Sequence, residues 1–322
     1  MDAPSNELPV LHLALAGFTA AEQACIESAA PYAKDTLTWR VSRLSDADAL
    51  FINGRGAIPW QGGGVMVQPG SPGASPVCID PVEWRRPMAF SSPIAIPGVR
   101  EADTFDLRKP QSIAAVLRRF SGWLRPMAIQ YWIASRIVRE RLDLSGTTYH
   151  VTVDGRLQAV VSRRNGVGVL PISDPSLLDQ AVWARRPGPA DEIPGHFVQT
   201  GLTEVLWRYA MRTPRDLLPS YFRSGPIYWC RAPQLPQRLF RDSHLVIVRE
   251  LAHAPTSFAE LGRRTGLADA VLARDLAALR LAGAVSHDRK QALRSAGQPA
   301  EKSARQAPMD KTAPAPLTPQ GA

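Results

Sequence analysis

The spacing of apolar positions changes several times along the chain. Residues 10–17 (VLHLALAG) form a short, almost unbroken apolar run closed by Gly17, the pattern of a strand buried on both faces. Residues 19–33 then take helical spacing, with Thr19 as N-cap and Glu22 three positions on as its capping-box partner. Short runs rich in Val, Ile, Leu and Ala (LTWRV, ADALFIN, GVMVQPG, SPVCIDP and PMAFSSPIAIPG) predict further strands. Pro110 suits the first turn of a helix in which Ile113, Val116, Leu117, Phe120 and Leu124 share a face. Pro126 is expected to break or kink that helix. Residues 127–142 resume the period with Ile129, Trp132, Ile133, Ile137 and Leu142, while Arg136, Arg139 and Arg141 fall mostly off the face.

The period then drops to two. Asp154-Gly155 and Asn165-Gly166 each suit a two-residue hairpin turn, because both central positions of such a turn need positive φ. They predict a three-stranded meander over residues 149–172, covered by the helices of 110–142 and 200–212. A Pro-rich connector, PGPADEIPG, separates the meander from a helix that ends near Thr213, and SGPIYWCRAPQLPQ reads as extended. DSHLVIVRELAHAP predicts a helix closed by Pro255. Ser257 caps a second helix with Glu260 as its capping-box partner, and Gly266 makes a tight turn. A third helix spans about 268–282 with Leu272, Leu276 and Leu279 inward and Gly283 as its stop, and Val285 begins a strand. From Arg289 onward almost no large apolar residue remains, which predicts disorder.

These elements give an α/β domain (1–124), an α+β middle domain (125–238), a small, mostly α domain (239–288) and a disordered tail (289–322). The 322 residues are 45% hydrophobic, enough for packed cores, yet no apolar run reaches the roughly 18 residues of a membrane span. The start of the chain has no basic region before a long apolar one, so a cytoplasmic location and no membrane partner are expected. Three widely separated cysteines without C-x-x-C spacing argue for buried thiols and against a disulfide framework or zinc. The six histidines are scattered, with no Cys or Asp at ligand spacing. No phosphate-loop, H-E-x-x-H or G-x-S-x-G pattern occurs, so neither a cofactor, a metal nor a catalytic residue is expected.

Charge is uneven. Residues 100–240 carry 20 Lys and Arg against 12 Asp and Glu, whereas 241–288 carry six of each, so the net charge of +9 does not sit on the third-helix region. Of the 38 basic residues 33 are arginine, whose planar guanidinium grips phosphate bidentately. Arg208 and Arg212 share a helix face in WRYAMR, close to Arg215, and these three are the candidate ligand-binding residues for an anionic nucleotide.

Three resemblances follow. The layout of residues 8–124, with a Lys109-Pro110 before the closing helix, resembles a response-regulator receiver domain. That resemblance implies a magnesium-holding acid pair after the first strand and a phosphoacceptor Asp after the third. The chain instead has Gly17 and Phe18 at the first place and Asn53 at the second, a degenerate phosphoacceptor position that cannot form an acyl phosphate. Residues 240–288 resemble a winged-helix or helix-turn-helix domain, which implies base contacts from an outward face at Asp269, Val271, Arg274, Asp275, Ala278 and Arg280. Of these, Arg274 and Arg280 are the candidate DNA-binding residues, but two carboxylates would face phosphate and no amide side chain is offered to bases. R-x-x-x-R is similar to the arginine half of the cyclic-di-GMP site of PilZ-type proteins, whose other half is missing because Thr148 stands where glycine is required. The expectation is a non-catalytic bacterial signalling protein with protein partners. The alternatives are a DNA-binding transcriptional regulator and a nucleotide second-messenger effector.

Overall fold

A computed structural model describes residues 9–33, 37–60, 63–80, 84, 86–93, 103–187 and 192–296. The first unit is a mixed α/β body around a five-stranded sheet in the order β2-β1-β3-β7-β8. Its strands are β1 (Val10–Ala16), β2 (Thr38–Ser42), β3 (Ala49–Ile52), β7 (Met88–Phe90) and β8 (Asp103–Thr104), every neighbouring pair parallel. Strand order reverses between β1 and β3, which in open parallel sheets marks a crevice at the carboxyl ends of the strands. Helices α1 (Ala20–Ala29) and α2 (Pro110–Glu140) cover one face, where Leu11, Leu13, Phe51, Ile113, Leu117 and Phe120 pack together. Thr19 caps α1 as expected, with the reciprocal Glu22 bond in place.

The other face departs from the receiver-like layout. No α-helix links β2 to β3 or β3 to β7 among the described residues. Instead β4 (Ala57–Pro59), β5 (Val65–Val67) and β6 (Val77–Ile79) form a small antiparallel sheet. Val65, Val67 and Ile79 pack on Ala14, Leu50, Ile52 and Phe90. Short apolar runs separated by Gly and Pro carry no partner information, which is why their sequence alone assigns them to the main sheet.

Pro126 does not break α2, which runs unbroken from Pro110 to Glu140. The residue four positions before the proline is Gly122, with no side chain to add to the crowding. The helix therefore spans two cores: Ile113 to Ala128 serve the first sheet, and Ile129, Tyr131, Trp132, Ile133 and Ile137 serve the second. It ends at Arg141, held in the left-handed region at φ 51°.

The expected meander is present as β9 (Thr147–Val153), β10 (Arg156–Ser162) and β11 (Gly166–Val169). It is extended to five strands by β12 (Val182–Pro187) on β9 and β13 (Val198–Thr200) on β11. Asp154 and Gly155 both have positive φ, as the turn requires. The second turn differs: Ser162 pairs with Gly166 across a three-residue loop, and the Ser162 hydroxyl accepts the amides of Arg164 (3.2 Å) and Asn165 (3.4 Å). Helix α3 (Leu202–Arg212) covers this sheet beside α2 through Val205 and Tyr209. Val151, Val161, Val167 and Val169 are fully buried, each contributing about 1.5–3 kcal/mol.

The third unit begins earlier than 239. Trp207 and Ala210 of α3, Phe222 of α4 (Tyr221–Ser224) and Ile227 of β14 (Pro226–Trp229) share one core with the three following helices. Those helices are α5 (Asp242–His253), α6 (Phe258–Thr265) and α7 (Asp269–Leu281). Strand β14 lies between β15 (Thr256–Ser257) and β16 (Val285–Ser286), so an upstream strand fills the place of a wing's returning strand. Gly266 takes φ 67° at the turn, as expected. Ser257 caps α6, but the Glu260 carboxylate binds Arg263 and Arg264 instead of returning to the cap. Residues 289–296, expected to be disordered, form α8 (Arg289–Ala296), and the disorder expected of 297–322 lies outside the described residues. Cys230 is buried as expected, whereas Cys25 and Cys78 are exposed. Among the described residues no helix is long and apolar enough to cross a membrane.

Candidate functional site

Asn53 follows β3 directly, at the crevice where strand order reverses. Its amide is saturated. Nδ2 donates to the Gly17 carbonyl (3.0 Å) and to Glu22 Oε2 (3.3 Å), while Oδ1 accepts from the Arg55 amide (3.2 Å) and the Ser91 hydroxyl (3.2 Å). Strand β5 and the residues after it lie across the crevice. A methyl on Gly17 would sit 2.6 Å from Val67 Cγ1, and one on Gly70 would sit 2.2 Å from the Phe18 carbonyl carbon. Lys109, matched to the receiver lysine, is exposed and pairs with Asp106 at 3.4 Å. Among the described residues no group of three His, Cys, Asp or Glu is placed to hold a metal.

The candidate arginines of α3 bind this chain's own acids. Arg208 donates to Glu204 Oε1 at 2.5 Å. Arg212 grips Asp48 with both terminal nitrogens, one of them at 2.7 Å from Oδ2, and the same oxygen accepts the His12 amide at 2.9 Å. Asp48 lies just ahead of β3, so this pair ties the first sheet to α3. Two further bonds reinforce it: Arg241 meets Asp46 at 2.8 Å, and Arg86 donates to the Ala47 carbonyl. Burial by itself would lower the Arg212 guanidinium, but hydrogen bonds to Asp48 and its charge outweigh that, and the net is a rise. Burial, reinforced by the Arg212 charge, pushes the His12 imidazole below its ordinary value. The Arg215 amide donates to Thr213 Oγ1 at 3.2 Å, and Arg215 lines a cleft of about 240 Å³ with Arg223, Arg274, Asp216 and Asp269.

Helix α7 does not have the outward face expected of it. Arg274, Asp269 and Val271 are exposed, but Asp275 and Ala278 are buried and Arg280 is half-buried. The reason is α3, which packs along α7 where Ala273 and Ala277 leave room for close approach. Beneath this interface the His244 ring packs tilted against Trp207 (centroids 4.7 Å apart, planes at 47°), with Nε2 at 3.3 Å from Asp275 Oδ1. His244 Nδ1 accepts the Arg241 amide at 2.9 Å, so a neutral ring must carry its proton on Nε2, facing Asp275. Arg280 Nε is buried with no hydrogen-bond partner among the described residues.

Sequence reasoning missed Asp48, His244 and Asp275. Asp48 lies in a run, SDADAL, that looks like an ordinary acidic turn. Asp275 reads as outward because it is charged and adjoins Arg274, and the buried His244 that it faces comes from a different helix. No protein-family model, curated protein or solved structure matches the chain.

Proposed function

We propose that this protein is a non-catalytic, cytoplasmic regulatory protein that transmits signals by docking to other proteins. Its first unit is a receiver-like body without phosphoryl chemistry, and its third a winged-helix-like body that no longer reads DNA. One observation carries the reading: part of the surface a reading helix would present on α7 is closed within the same chain, with Asp275 and Ala278 buried, Arg280 half-buried and α3 packed along the helix. A helix held on both sides by its own core cannot enter a major groove without breaking that core. A second observation agrees: the crevice at the strand-order reversal is filled by β5, Gly70 and the saturated Asn53 amide.

The exposed elements available for docking include Trp123 and Ile172, with 73% and 77% of their surfaces free. Arg125 of α2 reaches the Ile172 carbonyl with Nη1 at 3.4 Å, which ties the Ile172 segment to that helix. The test is purification of the intact chain from its own cells after cross-linking, beside a Trp123→Ala/Ile172→Ser variant with unchanged thermal melting. Stoichiometric retention of one protein, lost in the variant, supports the reading. A phosphoryl adduct on residues 9–93, or selection of one duplex sequence from a random library, overturns it.

A further inference from the structure

The cleft beside Arg215 opens where the end of α3 and the turn after it run past the first half of α7. Its deepest lining is made of small side chains: Ala210 from α3, and Ala273 and Ala277 from α7, all three buried. Its volume of about 240 Å³ falls just below the roughly 300–1,000 Å³ of pockets for drug-sized ligands, so it suits a molecule of few heavy atoms.

The charged residues around it fall into two kinds. Arg223 is fixed on two sides: its Nη2 lies 2.5 Å from Asp216 Oδ2, and its guanidinium carbon lies 4.9 Å from the centre of the Phe258 ring. Asp216 Oδ1 also accepts the Leu218 amide at 3.0 Å. Asp269 and Arg274 differ. Both are exposed and line the cleft, and neither makes an ion pair or a side-chain hydrogen bond with any described residue. They stand five positions apart on α7, about 7.5 Å along the axis at ~1.5 Å per residue. Side chains three or four positions apart face each other on a helix, and those five apart do not, so α7 keeps these opposite charges from closing on one another. The neighbouring acid of α6, Glu260, is already engaged by Arg263 and Arg264.

We infer that this cleft binds a small zwitterion of the α-amino acid class, with its carboxylate on Arg274, its ammonium on Asp269 and an apolar side chain over Ala273 and Ala277. A guanidinium takes a carboxylate through two parallel hydrogen bonds, and an aspartate accepts from an ammonium. A simple anion such as phosphate would bring its charge up to Asp269, and a simple amine would bring its charge up to Arg274. A ligand that carries both signs satisfies both residues. Alanine methyls offer no hydrogen bond, so a polar ligand side chain placed against them loses its water without replacement. Because α3 and α7 form the two sides of the cleft, a ligand there adds to the contact that holds α7 closed.

The experiment is isothermal titration calorimetry of the intact protein with L-valine, L-leucine and L-phenylalanine. Two analogues of the tightest binder follow: its carboxamide, which lacks the negative charge, and its N-acetyl derivative, which lacks the positive one. Inorganic phosphate is the control anion. The expected result is that at least one amino acid binds and that either analogue binds about tenfold or more weakly, as the loss of a charge-assisted hydrogen bond implies. Arg274→Gln should bind the amino acid and its carboxamide equally, and Asp269→Asn should bind the amino acid and its N-acetyl derivative equally. Ala270→Leu adds bulk at an exposed lining residue and should abolish binding. All three substitutions are at exposed positions, and unchanged thermal melting checks that each variant folds. The inference is overturned if none of the three amino acids binds, if phosphate or either analogue binds as tightly as the amino acid, or if the folded Arg274 and Asp269 variants discriminate as the parent does.

Discussion

Replacing Arg212 by Gln leaves Asp48 at the start of β3 with its charge and without the cation that compensates it. The Arg212 and Asp48 side chains are 18% and 6% exposed, so water replaces little of what is removed. Exposed ion pairs contribute only about 0–1 kcal/mol, but removing one partner of a buried pair costs about 3–5 kcal/mol. The upper range applies, because Arg212 makes two hydrogen bonds to the carboxylate and links two packed units. For a domain of 150–250 residues each kcal/mol corresponds to about 2–4 °C, so Arg212→Gln should lower the melting temperature by about 6–20 °C. Asp48→Asn keeps an acceptor for the His12 amide and should cost a similar amount, because it strands the Arg212 charge. In urea unfolding followed by tryptophan fluorescence, the double variant should lose about 2–3 kcal/mol less than the sum of the single losses. Single losses below about 1 kcal/mol, or losses that simply add, would refute the reasoning, since they describe a solvated surface pair.

Other outcomes follow from the same structure. The folded state holds the His12 imidazole below its ordinary 6.5, so the unfolded chain binds the proton more readily and stability should fall as pH drops below about 6.5. His12→Gln should flatten that part of the urea-midpoint profile from pH 8 to 5, and an unchanged slope would contradict it. Glu260, drawn down to about 2 by hydrogen bonds from Arg263 and then Arg264, should titrate near that value in carboxyl NMR, well below a free Glu. Ala277→Leu should cost about 1–3 kcal/mol in urea unfolding by overpacking the interface of α7 with α3. Gly70→Ala should cost a similar amount, because its methyl would meet the Phe18 backbone, which cannot step aside as a flexible side chain can.

Local signals were legible where one residue type has one use. Thr19 with Glu22, Pro110, Asp154-Gly155 and Gly266 each fixed a cap or a turn that the structure contains. The α/β character of the first unit followed from short runs of Val, Ile, Leu and Ala mixed with helical spacing, and the meander from β-rich runs around Asp154-Gly155 and Asn165-Gly166. What failed was pairing at a distance. Nothing local told β4–β6 to leave the main sheet, or β14 to join β15 and β16 across the boundary drawn at 239. Pro126 misleads because the cost of a helical proline depends on its surroundings, here Gly122. The arginines of α3 look like ligand groups because their partners, Glu204 and Asp48, are respectively local and 164 residues away. The reading face of α7 looks free because the helix that covers it belongs to the preceding domain by sequence.

Whether α7 is closed within its own chain can be measured directly by amide hydrogen exchange on the intact protein. Packing against α3 on one side and α5 and α6 on the other predicts that peptides covering 272–279 exchange as slowly as the central strands of the middle sheet. Exchange on that stretch as fast as on the exposed α8, with α5 and α6 still protected, would mean that α7 is free to read a groove and that docking is not how this protein works.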